Sequence, residues 1–231
     1  MNIAIIAAAG AGARMASDRP KQFLQLAGTP VIIHTLKVFE QCESINEVIV
    51  VVPAEESAGF LSLAAKFGLR KVTRVVPGGA TRAESVKRGL QAIRAATAEI
   101  VAVHDGVRPF VTVEEVDAVV AAAQTNGAAI LVAPVTDTIK QVSDGRIMQT
   151  LDRGELRRAL TPQCFRYELL RQAYQAADDT DPSVTDESVL VEQLGIPVSF
   201  VEGNPRNIKI TTVEDLAIAE AILDDTDRNR D

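Results

Sequence analysis

Ile3-Ala4-Ile5-Ile6-Ala7-Ala8-Ala9-Gly10-Ala11-Gly12-Ala13-Arg14-Met15 is the stretch on which the fold turns. Residues 3–9 are apolar throughout and lack the polar alternation of a half-exposed strand. They predict a strand covered on both faces, as in a parallel sheet packed between helices. The chain carries no charged side chain before this run, which is too short to cross a bilayer, so it predicts a first strand and not a signal peptide. The strand gives way to small residues and then to Arg14, with Lys21 following Pro20. Glycines let the backbone close on a ligand, and consecutive N–H groups form an anion nest. On its own such a loop is equally a tight turn. With Arg14 and Lys21 it suits a nucleoside triphosphate, whose charge requires cations as well as backbone donors.

Working outward, residues 48–52, 100–103 and 129–133 repeat the unbroken apolar pattern, and 72–76 repeats it apart from Thr73 and Arg74. Between them, residues 31–39, 60–67, 86–93 and 113–120 have helical spacing. Alternating strands and helices predict an α/β fold: a Rossmann-like open, mostly parallel sheet with helices on both faces. Thr81, Thr112 and Thr212 each stand three residues before an acid (Glu84, Glu115 and Asp215), the mark of a capped helix start. The preceding loops leave the carboxyl ends of strands, where ligands of open α/β sheets bind. Residues 135–160 break the alternation. They read as a β-hairpin turning at Ser143-Asp144-Gly145, either an arm that pairs with a second subunit or a cover for the sheet edge. The whole of 1–231 reads as one domain, and the charged segment 224–231 is expected to fray.

Composition narrows the function. With 47% hydrophobic and 24% charged residues, the 231-residue chain is an ordinary globular protein. A net charge of −7 without a Lys/Arg stripe excludes a dedicated nucleic-acid binder, yet permits local capture of small phosphates. Cys42 and Cys164 are the only cysteines and lack metal or redox spacing, which fits a reducing, cytoplasmic setting. His34 and His104 are too few for a histidine-rich metal site. A P-loop motif is absent, and Met15 stands where a dinucleotide fingerprint needs its third glycine.

The N-terminal stretch followed by Pro20-Lys21-Gln22 resembles the signature of nucleotidyltransferases that activate sugars and sugar alcohols. Further motifs are similar to the 2-C-methyl-D-erythritol 4-phosphate cytidylyltransferase family of the non-mevalonate isoprenoid pathway. They are Pro77-Gly78-Gly79-Ala80-Thr81-Arg82-Ala83-Glu84-Ser85-Val86, His104-Asp105-Gly106-Val107-Arg108-Pro109 and Ala133-Pro134-Val135-Thr136-Asp137-Thr138-Ile139-Lys140. Leu160-Thr161-Pro162-Gln163, Thr185-Asp186-Glu187 and Asn207-Ile208-Lys209-Ile210-Thr211 extend the similarity over nearly the whole chain. The family's domain has about this length, so no fused second enzyme is expected. Where the family commonly has two alanines after His-Asp, this chain has Gly106 and Val107.

The resemblance implies transfer of CMP from CTP to 2-C-methyl-D-erythritol 4-phosphate with release of pyrophosphate. It implies Arg14 and Lys21 as catalytic cations, and Ala8, Ala9, Gly10, Gly12, Gly79, Ser85, Asp105 and Gly106 around the nucleotide. Arg108, Asp137, Thr138, Arg153, Thr161, Thr185 and Lys209 would hold the acceptor. Asp105 would bind Mg²⁺, with Mn²⁺ as a substitute, and the arm implies a homodimer without nucleic-acid or membrane partners. Read without the resemblance, Asp105 is equally a turn cap paired with Arg108, and Lys209 a charge on an edge strand. An acceptor phosphate is already ionised at neutral pH, so the attack on the α-phosphorus needs positioning and charge, not a general base. Transfer to ribitol 5-phosphate stays open as the near alternative. A dinucleotide-binding oxidoreductase is opposed by Met15, and a non-catalytic nucleotide sensor by the presence of Arg14, Lys21 and Asp105.

Overall fold

Side chains of successive strand residues point to opposite faces, so an unbroken apolar run needs helices above and below it. In the structure, a computed structural model describing residues 1–10, 20–94, 97–177 and 184–228, every run forms a strand, covered on both faces except at 72–76, where the strand lies at the sheet edge and is only half-buried. The sheet strands β1 (Asn2–Ala7), β4 (Glu47–Val52), β5 (Val72–Pro77), β6 (Ile100–Asp105), β7 (Ala128–Pro134), β10 (Arg157–Arg166) and β11 (Ser199–Glu202) are ordered β11-β7-β10-β6-β1-β4-β5. β10 is antiparallel to both of its neighbours, β6 and β7, and the other pairings are parallel. The short strands β2 (Gln25–Leu26) and β3 (Thr29–Pro30) form a separate pair.

Three helices, α1 (Val31–Gln41), α2 (Ala54–Lys66) and α4 (Val113–Asn126), bury Ile32, Leu36, Phe39, Phe60, Val116 and Val120 against Ala4, Ile6, Val50 and Ala102. On the other face α3 (Arg82–Gln91), α5 (Tyr167–Ala176) and α6 (Glu187–Gln193) bury Val86, Leu90, Leu170, Tyr174 and Val191 against Ile3, Ile5, Val51 and Val103. Each such aliphatic side chain taken out of water contributes roughly 1.5–3 kcal/mol, which makes the two apolar layers the main source of stability. A third cluster joins Leu26 and Val31 to Val107, Ile210 and Ala219 of the C-terminal helix α7 (Val213–Arg228).

The chain leaves β1 toward β4 and β5, then crosses back to place β6 on the other side of β1. The strand order therefore reverses between β1 and β6, and the crevice beyond their carboxyl ends is the ligand position of such sheets. Ala7 pairs in register with Asp105 at that point.

Several expectations need correction. α2 starts at Ala54, ahead of the apolar spacing at 60–67, because Pro53 with φ −54° leads into the helix and Glu55 and Glu56 suit its first turn without being buried. Residues 224–228 are helical rather than frayed, and Asp225 pairs with Arg206 at 2.7 Å. Residues 229–231 lie outside the described residues. The hairpin is shorter than 135–160: its strands are β8 (Lys140–Ser143) and β9 (Arg146–Thr150), and residues 157–160 already belong to β10 in the main sheet. Asp144 (φ 48°) and Gly145 (φ 74°) form the turn, the left-handed pair that a two-residue hairpin requires. All residues of β8 and β9 are exposed, so the hairpin strands are not buried against the described residues of their own chain. Among the described residues no helix is long and apolar enough to cross a membrane.

Candidate active site

A cavity of about 320 Å³ opens beyond β1 and β6, within the size range of small-ligand sites. Two loops meet at its floor. Gly78 must be glycine because a Cβ there would lie 2.1 Å from the Cβ of Ala9. On the far wall, Gln22 is buried in a short 3-10 turn, Lys21–Phe23, and its Nε2 donates to the Ala8 carbonyl at 2.6 Å. Phe23 meets Phe60 edge-on at 6.2 Å. These two anchors place Lys21 at the cavity beside Ala8, Ala9 and Gly10. Among the described residues the lining carries the cations Lys21, Arg82 and Lys209 against the single carboxylate of Asp105. A protein of net charge −7 thus concentrates positive charge where a phosphate chain would lie.

Asp105 ends β6 with 5% of its surface exposed. Its Oδ1 receives Arg82 Nε at 3.1 Å, while Oδ2 receives Lys209 Nζ at 2.9 Å and Arg108 Nε at 3.3 Å. Burial would push this carboxyl up, but Arg82, Lys209 and Arg108 outweigh it and hold Asp105 well below the usual carboxylate range. Burial also opposes the charge of Arg82; Glu187 and Asp105 overcome that and raise its pKa. For Arg108 burial wins and the pKa falls, though a guanidinium stays charged at any physiological pH.

Behind this cluster the strand end is wired by neutral groups. Thr161 Oγ1 accepts from the Asp105 N–H at 3.2 Å and donates to His104 Nδ1 at 3.0 Å. His104 therefore carries its proton on Nε2, donated to the Arg108 carbonyl at 3.1 Å. Asn207 Nδ2 donates to the Thr161 carbonyl at 3.0 Å, and Arg108 Nη1 donates to the Asn207 carbonyl at 2.8 Å.

Of the residues singled out in the sequence, Ala8, Ala9, Gly10, Lys21, Gly79, Ser85, Asp105 and Lys209 line the cavity. Ser85 Oγ accepts from the Gly79 N–H at 3.0 Å and donates to the Thr81 carbonyl at 2.8 Å, so that wall is set by its own hydrogen bonds. Gly106 lies beneath Ala8, where a Cβ would come within 2.8 Å of the alanine methyl. Val107, the departure from the family pattern, lines the cavity and packs into the cluster with Leu26 and Ile210. Arg108 and Thr161 stand behind Asp105 and not on the lining. Thr185 is exposed just ahead of α6, and Asp137, Thr138 and Arg153 are exposed near the hairpin, with Arg153 Nη1 donating to the Thr136 carbonyl at 2.7 Å. Gly12 and Arg14 lie outside the described residues.

Sequence reasoning missed Arg82 and Glu187. Arg82 Nη1 donates to both Glu187 oxygens, at 2.9 and 3.0 Å, and Glu187 is 1% exposed. One signal was available: Arg82 opens a capped helix, where the macrodipole disfavours a cation unless acids recruit it. Glu187 gave no such signal, since only the fold brings α6 to α3.

An open α/β sheet with a cationic, glycine-built cavity at its switch point defines a protein that handles nucleotide phosphates, in the manner of nucleotidyltransferases. Residues 2–225 match the family model described as IspD: 2-C-methyl-D-erythritol 4-phosphate cytidylyltransferase. The chain is 45% identical over 222 residues, 95% of its length and 93% of its relative's, to the protein of that name from Pelotomaculum thermopropionicum. It is 46% identical over 220 residues to that from Geobacillus kaustophilus, covering 95% of this chain and 96% of the other. The crystal structure of 4-diphosphocytidyl-2C-methyl-D-erythritol synthase from Anaerococcus prevotii is similar at a TM-score of 0.85 and 32% identity, over 96% of both chains. The chain belongs to the 2-C-methyl-D-erythritol 4-phosphate cytidylyltransferase family.

His104 gives the site a pH dependence. It is fully buried, and desolvation pushes its pKa down to about 4, against the Arg108 carbonyl and Asp105, which favour the cation. Between the unfolded value of about 6.5 and that depressed value, the unfolded chain binds more protons, so stability falls as pH drops through this window. The expected loss is on the order of 3 kcal/mol at pH 4 relative to pH 7. Denaturant titrations from pH 7 to 4 check this: the slope should flatten in His104→Gln, and an unchanged slope in that variant would refute the assignment.

Proposed function

We propose that the chain transfers the cytidylyl group of CTP to 2-C-methyl-D-erythritol 4-phosphate, giving 4-diphosphocytidyl-2-C-methyl-D-erythritol and pyrophosphate, with catalysis by positioning and charge. The observation that carries this reading is the cationic cavity around Asp105 at the switch point, with Lys21 fixed on its wall. An oxygen of the acceptor phosphate forms the new bond to the α-phosphorus. The bond from that phosphorus to the oxygen bridging to the β-phosphorus breaks, and its electrons leave with pyrophosphate. Lys21, together with Arg14, draws the two anions together and stabilises charge on the α-phosphoryl oxygens. The loop from Ala8 through Gly12 cradles the phosphates, and the turn of Gly79 and Ser85 with Gly106 selects cytosine. Lys209 takes acceptor or nucleotide phosphate, with Arg108 and Thr161 acting through Asp105.

Mg²⁺ fits this donor set. Asp105 is a carboxylate held ionised at the cavity, and Mg²⁺ is commonly bound by one or two carboxylates with phosphate oxygens and water completing its shell. Among the described residues no group of three ligating side chains stands ready to form an all-protein site. When bound, the ion would neutralise charge on the triphosphate oxygens.

The assay is pyrophosphate release from CTP with the acceptor, with UTP, ATP, GTP and ribitol 5-phosphate as alternatives. Release is expected with CTP and 2-C-methyl-D-erythritol 4-phosphate, and Lys21→Ala should lower the rate roughly 10²–10³-fold, the scale of losing one preorganised donor. A folded Lys21→Ala with undiminished turnover would remove Lys21 from the chemistry. Release with ribitol 5-phosphate alone would change the acceptor.

We also infer that the hairpin within 135–160 is the arm of a homodimer. Val142, Ile147 and Met148 are 64–66% exposed on it, an apolar surface that a second copy would cover. Pairing of this kind would bring Asp137, Thr138, Arg153 and Thr185 toward the acceptor. The two buried thiols, Cys42 and Cys164, fit a cytoplasmic setting. Light scattering should give twice the chain mass, and Ile147→Asp should yield a monomer with weaker acceptor affinity. A monomeric wild type with full activity would defeat the arm's role.

A further inference from the structure

We propose that Glu187 is a positioning residue for the nucleotide: it fixes Arg82 so that the third guanidinium nitrogen, Nη2, serves as a phosphate donor in the cavity. This rests on the reading that the cavity takes CTP.

Three sides of one guanidinium are involved. Arg82 Nε donates to Asp105 Oδ1 at 3.1 Å, and Nη1 donates to Glu187 Oε1 and Oε2 at 2.9 and 3.0 Å. Among the described residues Nη2 has no hydrogen-bond partner, and Arg82 lines the cavity with its side chain 28% exposed. A planar fork held at two sides has its remaining donors aimed in one direction, so little freedom is lost when they meet a phosphate.

Glu187 is itself immobilised. Tyr174 Oη donates to its Oε1 at 3.0 Å, and its backbone N–H donates to Gln163 Oε1 at 3.1 Å. It opens α6, where the helix dipole favours an anion, whereas Arg82 opens α3, where it disfavours a cation. The pair thus links two helix starts 105 positions apart in sequence. A buried ion pair rarely stabilises a fold more than apolar residues of the same volume would. An arginine kept in such a pair while it lines the cavity is better explained by a ligand for its remaining nitrogen. Charge balance agrees: among the described residues Arg82, Arg108 and Lys209 pair with Asp105 and Glu187, three cations against two carboxylates.

The test is CTP binding by calorimetry without acceptor, alongside turnover with both substrates. Glu187→Gln puts an amide donor against Arg82 Nη1, and CTP should bind roughly 10–10²-fold more weakly, the scale of losing one hydrogen bond to a charged group. The acceptor's KM at saturating CTP should stay within about twofold, and Glu187→Asp should recover part of the loss. Should Glu187→Gln fail to fold, Arg82→Lys keeps the charges balanced but cannot bridge both acids, and should show the same CTP-selective loss. In an Arg82→Ala background Glu187→Gln should have no further effect on CTP binding. Undiminished CTP affinity in Glu187→Gln or Arg82→Lys, or equal losses with and without Arg82, would overturn the proposal. Failure of the wild type to bind CTP at all would instead refute the reading of the cavity.

Discussion

Asp105 is a buried carboxylate at the end of a central strand, and the arrangement of the site follows from what that charge requires. An isolated ion could not be kept there; it would take up a proton. Arg82, Arg108 and Lys209 keep it ionised, and each comes from a different part of the chain: the start of α3, the loop after β6 and the segment before α7. One carboxylate therefore gathers three cations around a single cavity. Glycine and alanine at 78, 106, 8 and 9 let the surrounding loops close to van der Waals distance, so the cations lie within reach of one phosphate chain.

The same geometry explains why a protein of net negative charge can attract a polyanion. The cations are desolvated on one side and already ordered, so a phosphate chain would meet fixed donors instead of flexible surface lysines. His104 and Thr161 contribute without charge: they hold the Asp105 backbone by a hydrogen-bond chain whose direction is set by the Arg108 carbonyl. A histidine that is neutral at physiological pH adds no competing positive charge behind the carboxylate.

Much of this was legible in the sequence, for identifiable reasons. The unbroken runs at 3–9, 48–52 and 100–103 specify strands buried on both faces, and the Thr112/Glu115 pair forms a complete capping box in the structure. The antiparallel β10 was hidden because its residues 157–160 adjoin the hairpin and its Thr161-Pro162 step interrupts the apolar pattern. Asp105, Ser85 and Lys21 stand in short motifs that carry the family resemblance, and the structure places all three on the cavity lining. The Arg82–Glu187 pair could not be named, since nothing local in either residue indicates a partner 105 positions away. Val107 was an unresolved departure in the sequence; packing against Leu26, Val31 and Ile210 gives its branched side chain an apolar place at the cavity edge.

Asp105 thus organises cations that would meet the nucleotide's phosphates. Asp105→Asn tests this most directly, through CTP affinity measured by titration without metal and pyrophosphate release measured with metal and both substrates. Removing the anion should weaken metal-free CTP binding, because Arg82 and Lys209 lose the carboxylate that fixes them at the cavity. Pyrophosphate release should fall by roughly 10²-fold or more, as the groups around the reacting phosphate lose their fixed positions. A folded Asp105→Asn protein that binds CTP and turns over as the wild type does would show that the carboxylate does not organise the site.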